Sequence, residues 1–521
     1  MAAVITDQFR ISNADNFVNS VSSSNYYVVL GLANPDSATT KFGRVNGWDA
    51  NTPNPTDNLQ YLSHYRDSIL FGKRVSTTDA RRVIRKITWK SNTNYDMYRH
   101  DYSISSPSQI TNSPTLRDSN YYVMNSNYDV YICIENGSSG TKPGGEKSQD
   151  EPIGRGNELI TGSSGDGYKW KYLFSISPSD ILKFDSTEYI VLPNDWKTNS
   201  DYASVRNYGN NSSTNPNQIR TVYIEDGGSG YSDGLYDILG DGQGAKVQIT
   251  TTNTKITGAS IVDGGYGYTY GIVDLKRSGT ILDPAKLIPI IPPSRGHGYD
   301  IYKELSADRV LIYARFDDST KDFPLDTKFA QIAIIKDPET YSANSGYTEE
   351  YWSNPTFSGL HALKLTSGYT GSPSPGDSIT QPVTVNGVNG TARGYVASYD
   401  STTGVLKYFR DRSLYFKPGV NDQEDHNAVA TQAKFFEFGG ANTVTIDGGG
   451  GSSSTTTIDT GFNGSVVDVD NKRIDLSVTF NSGVSLPEIN KRTGDVVYID
   501  NRSLVSRDIR QKEDIKIILE F

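Results

Sequence analysis

At 521 residues the chain is too long for one ordinary hydrophobic core, so two to four domains are expected. A formal charge of −10 and a pI near 5.2, with no Lys/Arg block that would neutralise a run of phosphates, argue against nucleic acid as a partner. The 49 glycines, 34 tyrosines and mean hydropathy of −0.51 suit short strands joined by many turns, which points to a mainly β chain and away from a membrane partner.

The N-terminal stretch Met1 to Arg10 has no basic region leading into an apolar core, and nowhere do about 18 apolar residues run together. Neither an export signal nor a membrane span is expected. Ser12 or Asn13 is a candidate cap for a short helix carrying Asp15, Phe17, Val18 and Val21. Tyr26 to Leu32 is a strongly β run. Ser76 to Lys86 reads as a second helix, with Val83, Ile84 and Ile87 recurring on one side and Arg81, Arg82, Arg85 and Lys86 on a solvated face. Tyr121 to Glu135 suggests a hairpin, and Asn136 to Gly156 a surface loop. The lone cysteine, Cys133, lies in the apolar run Val130 to Glu135; it is expected to be a buried thiol, in keeping with assembly in a reducing cytoplasm.

Next comes Gly165-Asp-Gly-Tyr-Lys-Trp-Lys-Tyr-Leu-Phe174, a turn running into alternating aromatic and basic residues, then Ile176-Ser-Pro178 and Glu188 to Pro193. These read as extended segments stopped by proline and packed through large rings. An Asn/Ser-rich stretch, Asn207 to Gln218, marks a boundary. Beyond it, Val222 to Tyr231 recurs as Ala259 to Tyr268, each copy a strand, an Asp-Gly-Gly turn and a Gly-Tyr pair. Asp226, Gly227, Gly228 and Tyr231 correspond to Asp263, Gly264, Gly265 and Tyr268, with glycine permitting positive φ and tyrosine packing over the bend. Long strands resume at Arg309 to Arg315 and Phe329 to Ile335. The composition shifts again near Tyr341, Tyr399 leads to Val405 across a turn, Gly448 to Thr457 reads as a flexible loop, and strands return from about Glu488.

Enzyme motifs that would be conspicuous are missing, and no residue is assigned a catalytic, cofactor-binding or metal role. Gly240 to Gly244 looks superficially like a phosphate loop but runs into a strand pattern, so a turn is expected. Asp226 and Asp263 each offer one local carboxylate, too few for a convincing hard-cation site. Asp468 and Asp470 would share a face if extended. The histidines His64, His100, His297, His361 and His426 are scattered, and His297 reads as a turn residue. A carbohydrate-binding or glycan-degrading tail protein, with the tyrosines as a sugar platform, is the alternative reading; the same rings also suit strand cores and interfaces.

Ordered blocks along the chain resemble the baseplate wedge subunit family of T4-like contractile-tailed phages, the product of gene eight in the T-even system. They include Ile5 to Arg10, Trp48, Pro55 to Asp57, Val130 to Cys133, Gly165 to Phe174, Glu188 to Val191 with Pro193, Gln331 to Pro338, Gly494 to Arg502 and Ile515 to Phe521. The motif residues Gly165, Asp166, Gly167, Tyr168, Trp170, Tyr189, Pro193, Tyr498, Asn501 and Arg502 carry the likeness. It implies an antiparallel β-sandwich architecture with a few short helices, and a structural virion protein of the tail baseplate. It further implies partnership with itself as a homodimer and with other wedge subunits, and an enlarged version of the kind carried by cyanobacterial phages. The expected division is a core of residues 1–215, 295–341 and 487–521, interrupted by inserted β modules at 216–294 and 342–486 that could reach fibre or peripheral baseplate proteins.

Overall fold

The computed structural model describes residues 4–33, 48–208, 218–275, 283–316, 329–341, 350–385, 388–410, 436–448, 453–506 and 511–521. The chain is mainly β, its named strand pairs all antiparallel among the described residues. It divides into two compact units, one of residues 1–19, 80–312 and 516–521, the other of 20–79 and 313–515. Among the described residues no helix is long and apolar enough to cross a membrane.

In the first unit a four-stranded sheet runs in the order Tyr122–Met124, Asp129–Asn136, Tyr168–Ser175, Ile160–Thr161. Five residues of Tyr168–Ser175 from Trp170 to Phe174 are buried in succession, because this strand is covered on both faces. Trp170, Tyr168, Tyr131, Tyr121, Trp196 and Tyr302 fill the core beside it. A second sheet centres on Ala80–Arg85, paired with Arg309–Phe316 and Tyr189–Val191. The repeat module forms its own sheet, in the order Lys255–Asp263, Lys246–Thr252, Gly234–Gly240, Gly271–Val273, with a separate core of Val247, Ile249, Ile256, Ile238 and Tyr268. Its first and last strands, Val222–Asp226 and Lys286–Pro289, pair antiparallel with Val222 opposite Pro289.

In the second unit a five-stranded sheet runs Thr356–Ser358, Ile69–Arg74, Tyr26–Gly31, Phe329–Lys336, Asp495–Val505; all six residues of Tyr26–Gly31 are buried, as its central place requires. A seven-stranded sheet is built from strands between His361–Lys364 and Val484–Ser485, with the Ser378–Val385 and Val388–Asp400 hairpin near its middle. The hairpin Gly464–Val469/Lys472–Phe480 stands apart as a two-stranded sheet.

Several local expectations are corrected. Residues 76–86 are not helical: Ala80–Arg85 is a strand. The Arg81, Arg82 and Arg85 side chains are not a solvated face either. Arg82 is buried, pairs with Asp15 and lies 4.3 Å from the centroid of the Tyr302 ring. Arg81 bonds Asp180 at 3.2 Å, and Arg85 donates to the carbonyls of Arg117 and Ser119. The N-terminal helix exists but spans Asp7–Ser20, one turn or more before Ser12, with the Thr6 carbonyl accepting from the Phe9 and Arg10 amides. Ser177-Pro178 does not end an extended segment so much as begin the helix Pro178–Phe184, Ser177 accepting from the Asp180 amide and proline filling the first helical position. Asp470 is not extended: with Asn471 it takes positive φ in the hairpin turn, so it does not share a strand face with Asp468. Ser453–Thr456, within the stretch read as a flexible loop, is a strand paired with Val444–Asp447; residues 449–452 lie outside the described residues, as do 209–217 of the Asn/Ser-rich boundary and His426.

Candidate functional site

The Gly-Asp-Gly-Tyr-Lys-Trp segment is a folded clasp. Gly165 and Gly167 take φ of +73° and +79°. The Asp166 carboxylate accepts from the Tyr168 amide at 3.0 Å and from the Gln149 amide at 2.8 Å, which ties the turn to the long loop after Asn136. Tyr168 then enters the core, where its hydroxyl accepts from the Tyr95 amide and donates to the Glu146 carbonyl, both at 2.8 Å. Its ring stacks on Trp170 at 5.4 Å and 12°, and Tyr95 meets Trp170 edge-on at 5.8 Å. The two glycines differ in surroundings. A Cβ on Gly167 would stand 2.8 Å from the Cα of Gly137, whereas one on Gly165 meets nothing within 4 Å. Gly165→Ala should therefore cost only the roughly 1–2 kcal/mol of a left-handed alanine, and Gly167→Ala clearly more; parallel denaturant titrations of the two variants check the order.

The remaining motif residues also anchor packing. The Pro193 carbonyl accepts from the Tyr302 hydroxyl at 2.6 Å, and Tyr189 lies under the Arg309 guanidinium at 5.8 Å. In the second unit Asn501 is buried on the Asp495–Val505 strand, where its amide donates to the Pro53 carbonyl at 2.8 Å and its Oδ1 accepts from Gln331 at 2.9 Å. Tyr61 completes this cluster, and the Ser68 hydroxyl donates to the Gln331 side-chain Oε1 at 2.8 Å. Tyr498, half-buried, stands opposite Ile334; Arg502 pairs with Asp500, and its carbonyl accepts from the Trp48 indole at 2.7 Å. The motif residues of residues 165–193 are thus brought together around one core, and Tyr498, Asn501 and Arg502 stand in the other unit.

The two repeat turns share one geometry. Asp226 and Asp263 each accept, through Oδ1, the amide of the second following residue, Gly228 at 3.0 Å and Gly265 at 2.9 Å. A Cβ on Gly228 would lie 2.5 Å from the Ala285 nitrogen, and one on Gly265 the same distance from the Ala245 nitrogen. Gly227 and Gly264 are equally tight against the carbonyls of Ile256 and Ile219. Tyr231 and Tyr268 then fold in, their hydroxyls accepting from the Ala285 and Ala245 amides at 2.8 and 3.2 Å, and Tyr268 also donates to the Ile238 carbonyl at 2.8 Å. The Asp carboxylates are turn locks. Gly240 to Gly244 is a turn between strands, its Asp241 carboxylate accepting from the Thr269 amide at 2.9 Å. Tyr268→Phe should destabilise the module by about 1–3 kcal/mol, since it leaves a buried amide and carbonyl unpaired; chemical denaturation against Tyr231→Phe, which orphans one amide only, is the check.

Among the described residues no group of three or more His, Cys, Asp or Glu could hold a metal ion. Lys171, Gln218, Arg220 and His297 line a pocket, with Ile134, Leu159 and Gly296, of about 10 Å³, room for a single water. Burial lowers the Lys171 amine to about 8. His297 sits between two glycines of positive φ, as a turn residue would, yet its ring is buried and its Nδ1 lies 2.6 Å from Glu304. Glu304 also accepts from the Gly298 amide at 2.6 Å. The His100 Nδ1 accepts from the Ile291 amide, and His361, buried against Tyr408, has its pKa pushed well down by burial. Cys133 is buried and free, and burial pushes its thiol up. Sequence reasoning missed the Arg82–Tyr302 contact, which joins residues distant along the chain, and the His297–Glu304 contact, which closes over seven residues from a glycine turn onto the helix Ile301–Glu304.

A family described as Bacteriophage T4, Gp8 matches residues 124–227, the stretch that holds three of the four strands of the aromatic sheet, the Gly-Asp-Gly clasp and the first repeat turn as far as Gly227. The baseplate wedge protein gp8 of Enterobacteria phage T4 is 28% identical over 214 residues, covering 37% of this chain. The matched part spans 60% of that protein's length. Both comparisons thus find the resemblance to this family, and over residues 124–227 the chain is gp8-like, similar to a baseplate wedge protein of phage T4.

Proposed function

We propose that the chain is a non-catalytic structural subunit of a phage tail baseplate, assembled in the host cytoplasm and carried in the virion. In this reading it pairs with a second copy and bridges neighbouring wedge proteins. The segments 1–215, 295–341 and 487–521 make those contacts, while the modules at 216–294 and 342–486 extend to peripheral baseplate or fibre proteins. One observation supports the reading: within the stretch matched by the gp8 family, the residues serve packing, with Tyr168 and Trp170 buried in a ring cluster and Asp166 closing a loop. A baseplate subunit needs such rigid bodies, because the assembly holds one arrangement until triggered and its contacts must transmit the change.

Light scattering of the purified chain across a dilution series, together with mass spectrometry of isolated baseplates, tests it. A stable mass near twice 57.2 kDa and recovery of the chain from baseplates are expected. A strict monomer would overturn the dimer, and absence from the particle would overturn the structural role.

A further inference from the structure

We propose that the outer face of the repeat-module sheet is a docking surface for a neighbouring protein that presents apolar side chains flanked by Lys or Arg. Along Gly234–Gly240, Tyr236 and Ile238 turn toward the module's core, so Leu235, Asp237 and Leu239 point outward. Leu239 stands directly opposite Ile272 on Gly271–Val273. These are large apolar groups in open solvent: Leu235 is 53% exposed, Leu239 56% and Ile272 67%, with Tyr270 at 58% just before the edge strand. The one-sided antiparallel sheet ordinarily turns a polar face to water, as the adjacent strands do here with Lys246, Thr250 and Ser260. An exposed apolar cross-strand pair, Leu239 with Ile272, set among polar and charged residues has the anatomy of a protein interface.

The charges identify the complement. Continuing the register one step past Ile238 and Val273 places Asp237 opposite Asp274, and the Asp274 amide donates to the Asp237 carbonyl at 2.8 Å. Two carboxylates directly across a strand pair oppose each other and weaken the sheet. Lys246, 3.7 Å from Asp237, is the cation that approaches them among the described residues. Asp241, exposed just past the end of the same strand, adds a third carboxylate, which accepts from the Thr269 and Tyr270 amides at 2.9 and 3.3 Å. An apolar partner residue covering Leu239 and Ile272, with a Lys or Arg beside it, would bury the stripe and relieve the paired aspartates at once.

The inference rests on the baseplate reading for the place where the partner is found. The test compares carbodiimide-driven labelling with glycine ethyl ester in the free full-length chain and in intact particles, mapped by mass spectrometry. Expected is a loss of labelling at Asp237 and Asp274 in the particle, with cross-links from their peptides to lysines of a second polypeptide. The double variant Leu239→Glu, Ile272→Glu, whose side chains face solvent in the free chain, should melt like the parent and lose the protection. Equal labelling of these aspartates in particle and free chain, or protection that survives the double variant, overturns the docking surface and leaves the baseplate role standing. Absence of the chain from the particle overturns both.

Discussion

Replacing Trp170 with alanine is expected to cost about 3–5 kcal/mol of stability. The indole is buried, stacked on Tyr168 of the same strand and capped edge-on by Tyr95, so truncation removes the centre of a three-ring cluster whose paired strand cannot close over the gap. At about 2–4 °C per kcal/mol for a unit of this size, the melting temperature should fall by roughly 6–20 °C, read by near-ultraviolet circular dichroism. Trp170→Phe should retain most of that stability. The indole N–H has no acceptor among the described residues, so its removal orphans nothing.

Glu304→Ala should be comparably damaging, about 2–6 kcal/mol, since it leaves two buried hydrogen-bonding groups unpaired at roughly 1–3 kcal/mol each. Glu304 is buried and serves the His297 ring and the Gly298 amide together, each at 2.6 Å, while its backbone carbonyl accepts from the Tyr121 hydroxyl. Alanine leaves the imidazole nitrogen and the amide without partners in a site with room for little more than one water. Glu304→Gln keeps one acceptor and should fall between the parent and alanine in urea titrations. Equal stability of all three would mean that the turn around Gly296 and Gly298 is held by its backbone alone.

What could be read from the chain was what local chemistry dictates. The Asp-Gly-Gly turns were legible because an aspartate two residues before a glycine of positive φ has one economical way to bond, and the tyrosine that follows must find a partner once buried. The hairpins at Tyr122–Asn136 and Val388–Arg410 followed from alternation and turn residues. Ala80–Arg85 went wrong because burial of Arg82 depends on Asp15 and Tyr302, far away in sequence; without them, arginines beside Val83 and Ile84 suit a helix as well as a strand. The helix Pro178–Phe184 is ambiguous in the sequence, because serine before proline is a helix start signal while proline after an extended run equally marks a stop. The docking face was illegible for another reason: Leu239 and Ile272 are 33 positions apart, and only register makes them neighbours.

The pairing of Val222–Asp226 with Lys286–Pro289 has a consequence for how such a chain can change over generations. Backbones that leave and rejoin a scaffold side by side, about 5 Å apart, present the same two anchor points however much chain is threaded between them. The loop-closure cost of lengthening that excursion grows only logarithmically, and a separate core, with Tyr231 and Tyr268 fastening its bends, lets the excursion hold itself together. A chain built this way can acquire, enlarge or exchange such a module while the strands beneath it keep their spacing, so the surface it presents can diversify without rebuilding the rest of the fold.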